Sequence, residues 1–246
     1  MKIALIGYGK MGRAVERIAL ELEHEIILRI DSESDWERIG SQISEAEVAI
    51  EFSTPFTVEK NIKRCLLDGI PVVTGTTGWD ETKPSVKKNC EESNGAVVSA
   101  SNFSVGVNLF FLINKFAAGL MKPFDNYDVK IEEVHHLHKL DAPSGTAKVI
   151  AEDILRIYNH KTAWVNRSVE DGSLLGVESI RQGDVKGEHT VTYFSDMDEI
   201  RLQHSAKSRD GFVRGALLAA TWIVGKKGWF TMEDVLGEMT GFNSGV

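Results

Sequence analysis

The stretch KIALIGYGKMGRAVERIAL at residues 2–20 decides the fold of this chain. A short apolar run, Lys2–Ile6, ends at a glycine loop, and apolar residues then recur at helical spacing through Met11–Leu22. The loop fits the pattern G-x-G-x-x-G, whose glycines permit a tight turn, a close approach of pyrophosphate to the backbone, and close packing of helix on strand. A plain turn with a helix cap is the weaker alternative. The stretch therefore predicts a Rossmann-type dinucleotide site, formed by Gly7, Tyr8, Gly9, Lys10, Met11 and Gly12.

Strands and helices alternate through the first hundred residues. Further strand-like runs are predicted at Glu25–Ile30, Val48–Phe52, Pro71–Thr74 and Val97–Ala100. Such alternation predicts a parallel sheet with right-handed crossovers. Ligands of these sheets bind beyond the carboxyl ends of the strands, where this sequence places polar or glycine-rich turns.

Asp31 lies nineteen residues after Gly12, at the end of the second predicted strand. An acidic side chain at this place accepts hydrogen bonds from the adenosine ribose. Ser32–Glu33 follow it instead of an arginine, so a 2′-phosphate would meet negative charge. This favours NADH over NADPH, although Lys10 and Arg13 could still reach a phosphate and use of both cofactors stays open.

After Asn102 the pattern changes to a long apolar helix followed by strand-like runs with few helices between them. These runs are Val129–Val134, Val177–Arg181, His189–Phe194 and Glu199–His204. The chain is therefore predicted to be an α/β protein with an N-terminal Rossmann-type parallel sheet and a second α+β domain with a mostly antiparallel or mixed sheet. The predicted domains are 1–103 with 213–246 for dinucleotide binding, and 104–212 for substrate binding and oligomerisation.

Composition narrows the class of protein. The formal net charge of −8 over 246 residues argues against nucleic acid as a partner. Cys65 and Cys90 are expected to be reduced structural thiols. The most apolar stretch, Val105–Met121, contains two asparagines and a lysine, so no membrane span is expected. The first strand begins at Lys2, so no signal peptide is expected, and a cytoplasmic location follows.

The segment Glu133–Ala147, EVHHLHKLDAPSGTA, carries the chemistry. Reduction of a C=N bond or a conjugated enamine needs a hydride, which a nicotinamide supplies, and a proton, which a lysine or histidine supplies. If the strand continues, its period of two residues puts His135 and Lys139 on one face. Free N–H groups at the start of the following helix predict a cradle for a substrate carboxylate, formed by Ser144, Gly145 and Thr146.

Other readings of this segment stay open. Three histidines in four residues could bind zinc. However, His135 and His138 point to opposite faces of a strand, and Lys139 would repel a cation, so no metal is expected. Asp141–Thr146 could be only a helix cap, and His138 could be only structural. For the whole chain, the alternatives are another Rossmann-type dehydrogenase of a small carboxylic acid and a non-catalytic module that senses NADH.

The pattern H-H-x-x-K-x-D-A-P-S-G-T-A at His135–Ala147 resembles the motif of the 4-hydroxy-tetrahydrodipicolinate reductases, also called dihydrodipicolinate reductases. Other segments resemble that family in the same order, namely the glycine loop, Gly75–Gly78, Ala100–Asn108, Arg181–Gly183 and Gly187–Thr190. The chain is somewhat short for the family between Ile30 and Val48, near the predicted adenosine end of the cofactor site.

The resemblance implies an NADH- or NADPH-dependent reduction of a small cyclic dicarboxylate to tetrahydrodipicolinate, with loss of water, in lysine and diaminopimelate synthesis. It implies that His135 is the catalytic histidine, that Lys139 is the proton donor, and that His136 and the Gly145–Thr146 backbone bind substrate carboxylates. Beyond the glycine loop it places around the cofactor Asp31, Gly75, Thr76, Thr77, Ala100, Ser101, Asn102 and Phe103. It also implies a homotetramer joined through the sheet of the substrate domain.

Overall fold

The structure is a computed structural model that describes residues 1–208 and 210–241. Its strands are β1 (Lys2–Ile6), β2 (Glu25–Ile30), β3 (Val48–Glu51), β4 (Val72–Thr74), β5 (Ala96–Ser99), β6 (Asp128–His135), β7 (Ala163–Val165), β8 (Leu174–Arg181), β9 (Glu188–Phe194), β10 (Glu199–Ser205) and β11 (Gly228–Phe230). Its helices are α1 (Lys10–Glu21), α2 (Glu33–Ile39), α3 (Val58–Leu67), α4 (Lys83–Glu92), α5 (Val105–Met121), α6 (Gly145–Ile157), α7 (Asp210–Ile223) and α8 (Met232–Thr240), with a short 3₁₀ helix at Gly40–Glu45.

The described chain divides into two compact units, 1–105 with 210–241 and 106–208. The predicted boundaries after residues 103 and 212 fall close to these divisions. The predicted first domain also included 242–246, which lie outside the described residues. The roles given to the two domains stay predictions.

Six parallel strands form the sheet of the first unit, in the order β11-β5-β4-β3-β1-β2. Residues 3–6 of β1 are at most 1% exposed, because both faces of this sheet are covered, as is usual for parallel sheets packed between helices. From β1 the sheet extends to β2 on one side and to β3 on the other. That reversal of strand order creates a crevice at the carboxyl ends of the strands, where ligands of such sheets bind.

A mixed sheet forms the second unit, in the order β10-β9-β6-β8-β7. Its central strand, β6, runs parallel to β8 and antiparallel to β9. Every second residue of β6 is buried, namely Val129, Ile131, Glu133 and His135. Apolar side chains of α5 and α6 pack with this buried side in one core. The strand alternation therefore directs two polar residues, Glu133 and His135, toward the interior of the unit.

The predicted fold class is confirmed, with a parallel sheet in the first unit and a mixed sheet in the second. Two strands that were not predicted, β7 and β11, are three residues long each and show no period from which a strand could be predicted. Among the described residues, no helix has the length and apolar character that crossing a membrane requires. Cys65 and Cys90 are buried free thiols, as expected, and burial raises the pKa of both.

Candidate active site

The loops that follow neighbouring strands of the first sheet meet at its carboxyl edge. The backbone N–H of Tyr8 donates to Oδ1 of Asp31 at 2.7 Å, which joins the loops after β1 and β2. The backbone N–H of Ser53 donates to the Thr76 hydroxyl at 2.9 Å, which joins the loops after β3 and β4. The structure therefore brings the glycine loop, Asp31 and the Gly75–Thr77 loop to one edge, where the sequence predicts a cofactor.

Each glycine of the first loop is present for a different physical reason. Gly7 has a φ of +87°, and a Cβ there would lie 2.1 Å from the carbonyl oxygen of Phe52. A Cβ on Gly12 would lie 2.2 Å from the carbonyl oxygen of Gly7, because α1 packs directly on the loop. A Cβ on Gly9 would meet nothing within 4 Å, and Gly9 caps α1 without a side-chain hydrogen bond. Open space before the first N–H groups of α1 fits a pyrophosphate.

The two remaining loop residues with long side chains lie at the start of α1. Lys10 is exposed and Met11 is half-buried. The Tyr8 phenol donates to the Glu16 carboxylate, so its hydroxyl is used within the protein. The backbone of the loop, with Lys10, is thus the part that a phosphate can reach.

The end of β2 carries several acidic groups. Ser32 caps α2 and forms a reciprocal hydrogen-bond pair with Asp35. Glu33 forms ion pairs with Lys60 and Arg64, whose hydrogen bonds lower its pKa to about 2. Lys60 and Arg64 are therefore already paired with a carboxylate.

Glu51 is a fully buried carboxylate at the end of β3, a residue that no sequence motif indicated. It accepts hydrogen bonds from the hydroxyls of Thr74 at 2.6 Å and Thr76 at 2.8 Å, and from the N–H and hydroxyl of Ser53. Burial raises the pKa of Glu51 in spite of these bonds. The carboxylate fastens the end of β3 to the Gly75–Thr77 loop, so the Thr76 hydroxyl is used within the protein.

The segment Ala100–Phe103 borders the same edge. Its first three residues are accessible, whereas Phe103 is 2% exposed. The Phe103 ring meets the Phe52 ring edge-on, with centroids 6.2 Å apart. A Cβ on Gly75 would lie 2.0 Å from the Phe52 ring. Phe52 and Phe103 therefore support the loops from the core.

In the second unit, β6 ends at His135 and the chain then turns. The N–H of Gln182 donates to the His135 carbonyl at 2.8 Å, and the N–H of Lys139 donates to the His136 carbonyl at 3.1 Å, which closes a turn. The expectation that the strand continues to Lys139 is therefore wrong. Lys139 shares no strand face with His135 and is placed by the turn instead.

Arg181 on β8 holds this turn. Its guanidinium donates to the carbonyl oxygens of Lys139 at 3.3 Å and of Asp141 at 2.6 Å. The Lys139 ammonium donates to both carboxylate oxygens of Asp141, at 2.8 and 3.0 Å. The hydrogen bond from Lys139 lowers the pKa of Asp141. The predicted proton donor is thus an ammonium group held beside a carboxylate.

Glu133 lies beneath the turn and is 0% exposed. Its two oxygens accept the backbone N–H of Ser144 at 3.1 and 3.0 Å. The Arg181 guanidinium lies 3.5 Å from Oε1, and Nδ1 of His135 lies 3.6 Å from Oε2. Burial alone would raise the pKa of Glu133, but hydrogen bonds from Ser144 and Ser179 and the nearby His135 hold it below its usual value.

His189 on β9 completes this buried cluster. Its Nε2 lies 3.1 Å from the Ser144 hydroxyl and 3.7 Å from a Glu133 oxygen, and its ring meets the His135 ring with centroids 5.1 Å apart. Burial is the main cause that lowers the pKa of His189 to about 3, so its ring is neutral at physiological pH. Burial also lowers the pKa of His135, against the opposing effect of Glu133.

Ser144 caps α6 and is almost fully buried. Its hydroxyl accepts the N–H of Ala147 at 3.2 Å and its own N–H goes to Glu133, so its polar groups are used within the protein. Gly145, by contrast, is exposed, and a Cβ there would meet nothing within 4 Å. The N–H groups of Gly145 and Thr146 in the first turn of α6 have no partner within the helix, so they are the part of the predicted cradle that a carboxylate can reach.

The histidines that follow β6 differ in their surroundings. His136 is half-buried and His138 is exposed, and their rings lie 6.3 Å apart. Among the described residues, the group whose atoms lie close enough to hold a metal is a different one, Glu133, His135 and His189, whose candidate ligand atoms lie within 4.8 Å of one another. Because Glu133 already accepts the Ser144 N–H and faces the Arg181 guanidinium, this set lacks the free carboxylate that a metal ion needs.

Glu133, Arg181 and His189 had been given no role from the sequence. Arg181 and His189 belong to segments that resemble the family, and Glu133 is a charged residue at a position where strand alternation predicts burial. Together these residues place a neutral imidazole, an ammonium group and free N–H groups of a helix in one unit. Such a set can bind carboxylates and deliver a proton.

Comparison with known proteins supports both units. The family model described as dihydrodipicolinate reductase, N-terminus, matches residues 1–103, and the one for the C-terminus matches residues 106–236. The 4-hydroxy-tetrahydrodipicolinate reductase of Christiangramia forsetii is 43% identical over 239 residues, which cover 97% of this chain and 99% of that protein. The enzyme of the same name from Neisseria meningitidis serogroup B is 36% identical over 81% of this chain and 76% of its own length.

Solved structures agree on the fold. The dipicolinate-bound dihydrodipicolinate reductase from Paenisporosarcina sp. TG-14 has a TM-score of 0.78 at 24% identity, covering 94% of this chain and 97% of that chain. A probable dehydrogenase from Thermotoga maritima has a TM-score of 0.54 at 9% identity, covering 96% of this chain and 92% of that chain. With both halves matched by the same family and a relative aligned over nearly its whole length, this chain belongs to the dihydrodipicolinate reductase family.

Proposed function

We propose that this protein is a 4-hydroxy-tetrahydrodipicolinate reductase of lysine and diaminopimelate synthesis. It converts 4-hydroxy-tetrahydrodipicolinate to tetrahydrodipicolinate, with NADH or NADPH giving one hydride, a proton entering from the protein or solvent, and the hydroxyl leaving as water. The observation that carries the proposal is the cluster around Glu133, which joins His135, the Lys139 turn and the start of α6.

The nicotinamide group supplies the hydride when it is bound. We assign its site to the first unit, at Gly7–Gly12, Asp31, Gly75–Thr77 and Ala100–Phe103. The backbone N–H groups of the first turn of α1 hold its pyrophosphate, and Asp31 accepts hydrogen bonds from the ribose. The second unit is the substrate and oligomerisation domain in this proposal.

Residues of the second unit bind the dicarboxylate and deliver the proton. The N–H groups of Gly145 and Thr146 bind one carboxylate, assisted by His136. Lys139 is the proton donor, and the adjacent His135 is a neutral imidazole that can accept or return a proton near it. Concentrating these groups gives an acidic protein a local site for an anion.

NADH is the favoured cofactor in this proposal. Asp31 and Glu33 carry negative charge at the ribose end, and the nearby cations Lys60 and Arg64 are paired with Glu33. A 2′-phosphate would have to break those pairs, face the carboxylates or depend on Lys10 and Arg13. Comparing kcat/KM for NADH and NADPH in one assay decides the preference.

We also propose that the protein is a homotetramer joined through the open face of the second sheet. That face is lined by polar and charged side chains, among them Lys130, Glu132, Glu178, Arg201 and Gln203. Light scattering after gel filtration is expected to give about four times the chain mass of 27.2 kDa. Gln203→Arg, which adds a charge to this face, is expected to give smaller species, and a wild-type monomer would contradict the proposal.

The function is tested by a coupled assay at near-neutral pH, since the proposal places the reaction in the cytoplasm. Dihydrodipicolinate synthase generates the unstable substrate from pyruvate and aspartate semialdehyde, and nicotinamide absorbance reports turnover. Oxidation of NADH or NADPH that requires both the synthase and this protein supports the proposal. Folded protein that binds NADH without oxidising it would favour another dehydrogenase or an NADH-sensing module.

A further inference from the structure

Three separate segments of the candidate active site contact one buried carboxylate. Glu133 accepts the N–H of Ser144 at the start of α6, lies 3.6 Å from Nδ1 of His135, and lies 3.5 Å from Arg181, which holds the Lys139 turn. We propose that Glu133 is the positioning residue of this site, keeping His135, the Lys139 turn and the α6 terminus in one arrangement with the help of His189. The effect of this positioning on catalysis rests on the proposed function.

The position of Glu133 in β6 supports this role. The preceding residues on the same buried side, Val129 and Ile131, are apolar, so an apolar residue would fit the core at position 133. A buried carboxylate is costly unless hydrogen bonds and an opposite charge compensate it. Here the compensating groups are Ser144 and Arg181, and both belong to segments that carry the site.

Glu133 also bears on the protonation of His135. Nδ1 of His135 is buried and has no hydrogen-bond partner among residues 1–208 and 210–241, and the nearest carboxylate oxygen is that of Glu133. A carboxylate at this side favours the tautomer with hydrogen on Nδ1, which leaves Nε2 for the reaction, and such contacts often shorten when substrate binds. The charged or titratable groups that face His135 are Glu133 from β6, Arg181 from β8, His189 from β9, and Lys139 and Asp141 from the turn.

Packing alone does not explain a histidine at position 189 either. Its Nδ1 is buried without a partner in the described chain, while its Nε2 contacts the Ser144 hydroxyl. A leucine would fill much of this space without an unsatisfied polar atom. If His189 only filled the core, His189→Leu would leave turnover unchanged.

The first test compares variants at Glu133. Glu133→Gln keeps the shape but removes the charge, so kcat/KM is expected to fall about 10²-fold, as for a misplaced catalytic group. The Kd for NADH should stay unchanged, since that site is assigned to the first unit. Glu133→Asp restores the charge and should recover part of the activity. Glu152→Gln, an exposed carboxylate on α6, is the matched control and should behave as wild type.

Turnover of Glu133→Gln within about twofold of wild type would overturn the proposal. If that variant does not fold, His189→Leu decides. It is expected to lower kcat/KM at least tenfold while its Tm equals or exceeds that of wild type, because a buried unsatisfied nitrogen is removed. Normal kcat/KM in His189→Leu would overturn the proposal, as would activity that chelation abolishes and Zn²⁺ restores.

A measurement on the wild-type protein needs no turnover and so separates this inference from the proposed function. Nitrogen-15 NMR of the imidazole rings, with His135 assigned through His135→Gln, reports which ring nitrogen carries hydrogen. The proposal expects hydrogen on Nδ1, and a lower pKa for His135 in Glu133→Gln, because the carboxylate that favours the imidazolium is lost. Hydrogen on Nε2, or an unchanged pKa, would overturn it even if the protein is an active reductase.

Discussion

At the residue scale, the proposed mechanism depends most on the assignment of Lys139 as the proton donor. It is held by Asp141 and by the Arg181 contact to its carbonyl, at the end of a turn and not on a strand. We expect Lys139→Ala to lower kcat about 10²-fold or more, since a general acid contributes on this scale. NADH binding, measured by fluorescence, should not change. Lys83→Ala, which removes a comparable lysine–aspartate pair at Asp80, is the control, and near-normal turnover by Lys139→Ala would remove it from the mechanism.

Asp31 has two tasks that separate variants can distinguish. Its carboxylate accepts the Tyr8 N–H and, under the proposed function, provides charge at the ribose end of the cofactor. Asp31→Ala should raise the Kd for NADH about tenfold more than it raises the Kd for NADPH. Asp31→Asn keeps an acceptor for the Tyr8 N–H but loses the charge. It should therefore bring the Kd values for NADH and NADPH closer together. Equal losses for both cofactors, measured by calorimetry, would show that Asp31 does not contact the ribose.

At the scale of elements, the loop between β8 and β9 sets the space for His135. Gly187 has a φ of +146°, and a Cβ there would lie 3.1 Å from Nε2 of His135. Gly187→Ala is expected to lower kcat/KM about tenfold or more through displacement of the imidazole. Gly183→Ala, at a φ of +50° with nothing within 4 Å of its Cβ, is the matched control. Both variants should lose some stability from backbone strain, but only the first should lose activity.

The elements of the first unit were largely predictable from sequence, and the buried network of the second was not. β1 to β5 appear as apolar runs bounded by glycine or polar turns, and the structure differs from the prediction at four of their ten ends, by one residue each. Lys139 was misplaced because a period of two says nothing about where a strand stops. Glu133, Arg181 and His189 come from three strands, so their meeting depends on sheet order that no local pattern contains.

At the scale of the whole molecule, buried histidines couple stability to pH. Burial lowers the pKa of His189 to about 3, and also lowers those of His135 and His204. Between a pH near 6.5 and the folded pKa, the unfolded chain therefore binds more protons than the native protein, and stability falls as the pH falls.

For His189 alone, this amounts to about 2 kcal/mol at pH 5, as an upper figure. Thermal unfolding followed by circular dichroism should show a Tm that declines from pH 7 to pH 5. His189→Leu should decline less steeply, because one of the groups that must stay neutral has been removed. A variant that declines as steeply as wild type would show that His189 is not kept neutral by folding.

The ion pair between Lys139 and Asp141 bears on how the molecule chooses among anions. Asp141 acts as a resident counter-ion, so an arriving carboxylate replaces an existing partner instead of meeting a bare charge. A monocarboxylate gains little by that exchange. A ligand that engages the lysine and the free N–H groups of α6 together gains more than it displaces. Under the proposed function, the pair is therefore expected to favour a dicarboxylate over a monocarboxylate.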